Sequence, residues 1–381
     1  APQCHSTARR SPSTQKHKER TDCTRSARPL NIEPFSPSSV FLDRRLQTTI
    51  FDRHQQVAAM TPTQKAMQTL LGASALTPAM RFVSNSRRAV NPTVFEEVRT
   101  DLLSAYLRRT PSCTNAVNLL ADRGARVHND HVALRSFVDS RGASGLQFLQ
   151  HLFVGFGYAP QEGIVIPSMP VNAVWLEPPE ETQWPKVFIS ELRVDEMPSE
   201  ASAIVYKYVD GYYDDAVIDH AAASGDARAL VDILETPPWS VTSSDEQSLR
   251  TLGKQHPALE SATEYAAWTL THAHRWNHAT VLVNTLGLQD VDSIAKLNAL
   301  LRKHEYVFNP AGGADGVTQG SREKHLEQSS TVADEIHVTF ACGTERTVRC
   351  SFLELIERHE GFRGFLGQNA KGIFQSTWAT N

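Results

Sequence analysis

The chain has 381 residues, and its 38 Lys and Arg against 42 Asp and Glu leave a formal net charge of −4. With 40 % hydrophobic and 21 % charged residues it has an ordinary globular make-up, and no apolar run approaches the roughly 20 residues that cross a bilayer. The slight acidity gives no general attraction to nucleic acid or anionic lipid. Five cysteines without a CxxC pair speak against a disulfide scaffold, a zinc ribbon or a thioredoxin-type site, and favour a reducing compartment.

Residues 1–30 carry seven Lys and Arg against two acids, with Ser, Thr and Pro filling most other places. Such a stretch buries too little apolar area to offset its ordering entropy, so disorder is expected to about residue 55. Its composition matches an organellar transit peptide, for a plastid or a mitochondrion. A polar tail or an upstream translated stretch, on a cytoplasmic protein, is the competing reading. Residues 1–59 are therefore set apart as a leader, and 60–381 are taken as one domain.

Helical spacing of apolar positions predicts helices over 63–83 and 93–109, the second started by Asn91-Pro92-Thr93. In "ARVHNDHVALRSFVD", Val132, Leu134 and Ser136 alternate with His131, Ala133, Arg135 and Phe137, which is strand texture. A helix is expected after Ser144, then strands in "PVNAVWLEP" and "KVFISELRVDEM". Helices follow over 199–209, 226–235 and 257–275, the last running into "NHATVLVN". The final eighty residues read mostly as short strands joined by turns. No repeat of 20–50 residues is found, and helices and strands mix without regular βαβ alternation, so the fold class is α+β. The absence of GxGxxG and GxxxxGK[ST] removes the usual phosphate-binding loops.

Three places could carry chemistry. On an extended strand His131 and Arg135 share a face about 13 Å apart. A metal-binding imidazole and a guanidinium one substrate length away could hold the two ends of an anionic substrate, although a core His and a surface cation are the commoner origin of such a pair. In "THAHRWNHATVLV", His272 and His274 would form a zinc-like HxH pair if extended. With a helix continuing to Arg275, they instead lend favourable charge to its C-terminus, and His278 opens a strand. Near the C-terminus, "CSFLELIERHEGFRGFL" as a strand puts Leu353, Leu355 and Glu357 on one face and Phe352, Glu354 and Ile356 on the other. An acid closing an apolar row needs a cation or a metal, and an ion pair of Glu357 with Arg358 or Arg363 is the plainer account. Together His131, His278 and Glu357 would make a 2-His-1-carboxylate set suited to Fe(II), but spacing alone does not bring them together.

The ordered series "DHVALRSF", "FISELRVDEM", "PWSV", "EYAAWTL…WNHATVLVN", "GSREKHLEQSSTVAD" and "FLELIERHEGFRGFL…NAKGIFQST" resembles the 2-oxoadipate dioxygenase/decarboxylase (2-hydroxyglutarate synthase) family, in its plant and algal branch, over about residues 90–378. The resemblance implies a vicinal oxygen chelate-like curved β-sheet cupping one metal, with surrounding helices. It implies an Fe(II) cofactor and the conversion of 2-oxoadipate and O2 to 2-hydroxyglutarate and CO2, a step of lysine catabolism. It also implies metal ligands at His131, His278 and Glu357, with Arg135 on the distal carboxylate of a small 2-oxo diacid. Residues 367–377 would fold over the substrate, with Gln368 and Ser376, and beyond them Gln328 and Ser329, as polar contacts. Asn129, Asp130 and Asn277 are placed to orient the imidazoles. Two rivals stand beside this reading. One is a zinc-dependent hydrolase built on His272, His274 and His278. The other is a non-catalytic regulatory protein on the same scaffold.

Overall fold

A computed structural model describes residues 60–71 and 92–378, apart from 168, 181, 311 and 314. The leader, and the part of the first expected helix beyond Leu71, lie outside the described residues. The described part falls within one compact unit, His54–Asn381.

The organising element is a curved eight-stranded sheet built from two similar halves. In the first, β1 (His131–Phe137) is followed by the helix Gly145–Gly155, then β2 (Ala159–Val165), β3 (Val171–Glu177) and β4 (Lys186–Leu192). In the second, β5 (His278–Leu282) is followed by the helix Ile294–Lys303, then β6 (Gln319–Ser321) and β7 (Leu326–Ser330). A separate hairpin of β8 (Glu335–Thr339) and β9 (Glu345–Arg349) intervenes before β10 (Phe352–Arg358) completes the half. The strand order is β2-β3-β4-β1-β5-β10-β7-β6. In each half the first strand pairs parallel with the last, β1 with β4 and β5 with β10, and the halves join through antiparallel β1 and β5.

His131 and His278 therefore open equivalent strands, although 147 residues separate them. The duplication lies in the topology, far outside a 20–50-residue period. Register extends the equivalence: Phe188 of β4 lies opposite Ala133, as Glu354 of β10 lies opposite Thr280. One half thus carries an apolar ring where the other carries an acid.

Alternation along each central strand sends side chains to two cores. Val132, Leu134, Ala279, Val281, Leu353 and Leu355 pack on one face, against Phe148 and Leu152 of the first-half helix and Leu297 and Leu301 of its counterpart. Ala133, Phe137, Trp175 and Phe188 pack on the other with Tyr265, Ala266 and Leu270 of the helix Glu260–His272. Ser144 starts the first-half helix as expected, its Oγ accepting from the Gln147 N–H at 3.0 Å.

The expected strand over "KVFISELRVDEM" ends at Leu192 and gives way to a 3-10 turn at Val194–Glu196. Edge strand β2 was not foreseen, because five of its first six positions are exposed or lack an apolar partner to mark a period. Helices Asp215–Ser224 and Ser243–Gln255 were likewise not foreseen, and Gly367–Phe374 is a helix within a stretch read mostly as strands and turns.

Candidate metal centre

His131 at the head of β1, His278 at the head of β5 and Glu354, third in β10, project from the same face of neighbouring strands. His278 Nε2 lies 3.3 Å from His131 Nε2 and 3.0 Å from Glu354 Oε2, and His131 Nε2 lies 3.7 Å from Glu354 Oε2. Donors about 2.1 Å from one ion stand about 3.0 Å apart at right angles and about 3.4 Å apart at tetrahedral angles. The triangle therefore fits a metal. All three residues are buried, and Glu354 Oε2 has no hydrogen-bond partner. Burial pushes the Glu354 carboxyl above its ordinary range and drives the His278 imidazole well below its own. A cation among the three donors favours the carboxylate and the neutral imidazoles at once.

The outer groups orient these donors. His131 Nδ1 donates to Asp130 Oδ1 at 3.0 Å, and His278 Nδ1 donates to Asn277 Oδ1 at 3.2 Å. Because both partners offer an acceptor, the ring hydrogens sit on Nδ1 and the Nε2 lone pairs face the centre. Burial alone would raise the Asp130 carboxyl, but hydrogen bonds and charge from Arg358, aided by His131, hold it well below the usual range. Arg358 reaches it through Nε at 2.8 Å and Nη2 at 2.7 Å. Asn129 instead braces the sheet, its Oδ1 accepting from the Thr280 N–H at 3.0 Å.

The third donor differs from the expected one. Glu357 is three positions beyond Glu354, and an odd step on a strand reverses the face. It lies on the same side as Leu353 and Leu355, where its Oε2 accepts from the Ile294 N–H at 2.7 Å, at the start of a helix. Its acidic and imidazole neighbours are Glu327 and His359, not His131 or His278. The alternation in "FLELIE" contained this answer, since Glu354 is the acid sharing a face with Phe352 and Ile356.

His272 and His274 do lie at the end of the helix Glu260–His272, but they bring no charge to it. Burial lowers the His272 imidazole far below its ordinary value and His274 to about 4. His272 Nε2 donates to the Arg349 carbonyl at 2.9 Å, and His274 Nδ1 donates to the Arg135 carbonyl at 3.0 Å. Among the described residues these two and His278 form no ligand group, which removes the basis of the zinc-hydrolase reading.

Arg135, two residues beyond Ala133 on the His131 face, is only 1 % exposed. Its guanidinium carbon lies 4.8 Å from the Trp268 ring and 5.0 Å from those of Tyr265 and Phe374. Nε, Nη1 and Nη2 make no hydrogen bond, and the nearest carboxylate, Glu264, stands 3.6 Å away. A buried cation with unused donors is built to receive an anion.

The remaining polar candidates divide. Gln368 is exposed and its Oε1 accepts from Lys324 Nζ at 3.4 Å, whereas Ser376 is buried and hydrogen-bonds Ser330 Oγ at 2.7 Å. Ser329 donates to Asn298 Oδ1 at 2.7 Å, and Gln328 Nε2 donates to Glu354 Oε1 at 2.6 Å. Gln328 thus touches the candidate ligand itself.

A family model described as 2-oxoadipate dioxygenase/decarboxylase matches residues 98–361. The chain is 30 % identical over 322 residues to the chloroplastic 2-oxoadipate dioxygenase/decarboxylase of Arabidopsis thaliana, spanning 77 % of this chain and 80 % of that protein. It resembles the crystal structure of hydroxyglutarate synthase from Oryza sativa in complex with 2-oxoadipate, at 28 % identity and a TM-score of 0.62 over 80 % of this chain and 98 % of that one. A glyoxalase-superfamily protein from Ralstonia eutropha JMP134, 17 % identical, shares the fold with a TM-score of 0.59 over 80 % of this chain and 94 % of that one. The half-barrel is vicinal oxygen chelate-like, as the sequence resemblance implied.

Proposed function

This chain belongs to the 2-oxoadipate dioxygenase/decarboxylase family, and from that premise we propose that it converts 2-oxoadipate and O2 to 2-hydroxyglutarate and CO2 with Fe(II) at His131, His278 and Glu354. The observation that carries the reading is one sheet face holding both a convergent His/His/Glu triangle and a buried arginine with unused donors. When bound, Fe(II) supplies a Lewis acid for the C1 carboxylate and C2 carbonyl of a 2-oxo acid and a redox partner for O2.

The chain's own residues do the rest by position and charge. Asp130 and Asn277 fix the imidazoles, so that the Nε2 atoms are offered without a tautomer change. Arg135 pairs the distal carboxylate, which selects substrate by length. Trp268, Tyr265 and Phe374 exclude water around that pair and so strengthen it. In this account residues 60–381 act as a single catalytic domain and the basic leader directs it to the plastid, a reading supported by the names of the plant relatives, which call those proteins chloroplastic or chloroplastic/amyloplastic.

The test is oxygen-electrode turnover with 2-oxo diacids of graded length, with and without added Fe(II), and mass analysis of the product. Loss of one carbon and gain of one hydroxyl, dependent on O2 and Fe(II) and best for 2-oxoadipate, is the expected result. Turnover that persists without O2 would refute the oxygenase reading. Failure of any 2-oxo diacid to consume O2, with one metal bound, would favour a regulatory protein. Import of a fluorescent protein fused to residues 1–59 tests the address.

A further inference from the structure

Two hydrogen bonds join a residue of the C-terminal helix to a candidate metal ligand. Asn369 Nδ2 donates to Gln328 Oε1 at 2.8 Å, and Gln328 Nε2 donates to Glu354 Oε1 at 2.6 Å, with all three side chains buried. The antiparallel register of β7 and β10 sets Gln328 opposite Ile356, on the Glu354 face. Asn369 belongs to the helix Gly367–Phe374, which is seated closely at two places. A Cβ on Gly367 would lie 1.8 Å from the Val165 carbonyl oxygen of β2, so only a glycine lets the helix come this near. Gly320 of β6, at φ +80°, would with a Cβ lie 2.1 Å from the Leu326 carbonyl oxygen and 2.8 Å from Asn369 Nδ2, so a glycine is needed where the hairpin meets the amide.

We propose that Gln328 and Asn369 are positioning residues: Gln328 engages Oε1 of Glu354 and Asn369 orients Gln328, so that Oε2 alone faces His131 and His278. The inference rests on the metal-centre reading above and extends it. A primary amide has one donor end and one acceptor end. Asn369 occupies the acceptor end of Gln328, which turns the donor end toward Glu354. A carboxylate with one oxygen so engaged offers a metal a single donor. Binding through both oxygens would take up a further position. On a six-coordinate ion, three protein donors leave three positions, the number that two oxygens of a 2-oxo acid and one O2 require.

The proposal predicts an order among variants that a merely structural role does not. Ionised, as it is well above its pKa at the alkaline pH at which the variants are compared, Asp in place of Asn369 offers only acceptors. It should draw Gln328 Nε2 to itself and turn Oε1 against Glu354, reversing the polarity of the relay. Leu at 369 leaves the amide without a guide. Co(II) is titrated anaerobically into the full-length chain and followed by its visible absorption, with the Tm of each metal-free protein as a folding control. Gln328→Leu should weaken Co(II) binding about 10–100-fold and alter the Co(II) spectrum. Asn369→Asp should weaken binding more than Asn369→Leu at comparable Tm, and Glu354→Gln should abolish it.

If Glu354→Gln abolishes binding while Gln328→Leu and Asn369→Asp stay within about twofold of the unmodified protein, the relay is overturned and the metal centre stands. Equal effects of Asn369→Asp and Asn369→Leu overturn the polarity argument, and that comparison decides the matter if Gln328→Leu fails to fold. Unchanged Co(II) binding by Glu354→Gln overturns the metal centre and the relay with it.

Discussion

Removing the Arg135 guanidinium should separate substrate capture from metal loading. The group is buried, caged by three aromatic rings and without a hydrogen bond from any of its nitrogens, while its nearest carboxylate stands 3.6 Å away. A distal carboxylate arriving at those donors gains two charge-assisted hydrogen bonds, each worth about 1.5–3 kcal/mol. The pair together contributes about 3–6 kcal/mol, or roughly a 10²–10⁴-fold change in kcat/KM. Arg135→Met alone would leave Glu264 buried beside only Arg250, at 3.9 Å. The informative variant is therefore Arg135→Met with Glu264→Gln, set against Glu264→Gln alone. Anaerobic Fe(II) titration and oxygen uptake with 2-oxoadipate are measured on both. The double variant should bind Fe(II) as Glu264→Gln does and lose two or more orders of magnitude in kcat/KM. Parallel loss of metal and turnover, or a change in kcat/KM of only a few-fold, would show that Arg135 does not hold the substrate.

Other expectations can be checked on purified protein. Glu354→Gln should lose metal and oxygen uptake together. Glu357→Ala should keep both and unfold more easily by about 2 kcal/mol, the value of a buried charged hydrogen bond at a helix start, read by urea titration. Adding Fe(II) at about 100 times its Kd under anaerobic conditions should stabilise the native protein by about 2.7 kcal/mol, seen as a rise in Tm that Glu354→Gln lacks. Acid should destabilise the fold through His274, whose imidazole burial lowers to about 4. Its folded value lies below the unfolded one, so this stability is complete above about pH 6.5 and declines as pH falls toward 4, by about 3 kcal/mol in all. His274→Phe should flatten the dependence of stability on pH in that window, and an unchanged slope would contradict the assignment.

Much of the site could be read from the chain because two of its strands announce themselves. "HVALRSF" alternates cleanly, which put His131 and Arg135 on one face, and the end of the helix before "HATVLV" put His278 at the head of a strand. The acid was harder. Glu354 and Glu357 both lie in β10, each directly after an apolar residue and both buried. Strand period separates their faces but does not say which face turns inward, because helices cover one side of β10 and the site lies on the other. That choice is made by β5, whose register against β10 sets Thr280 opposite Glu354. Pairing across 74 residues leaves no local mark. Edge strand β2 lacked a signal for a different reason, since exposure removes the apolar period. Gln328 and Asn369 act through each other across 41 residues, a contact that polar residue types alone do not foretell.

The central claim is that one ion is held by His131, His278 and Glu354. Anomalous diffraction from crystals of the Fe(II)-loaded protein, recorded at the iron edge, tests it directly. The account predicts a single peak about 2.0–2.3 Å from His131 Nε2, His278 Nε2 and Glu354 Oε2. A peak instead among Glu327, Glu357 and His359, the other described group able to gather around a metal, would contradict it.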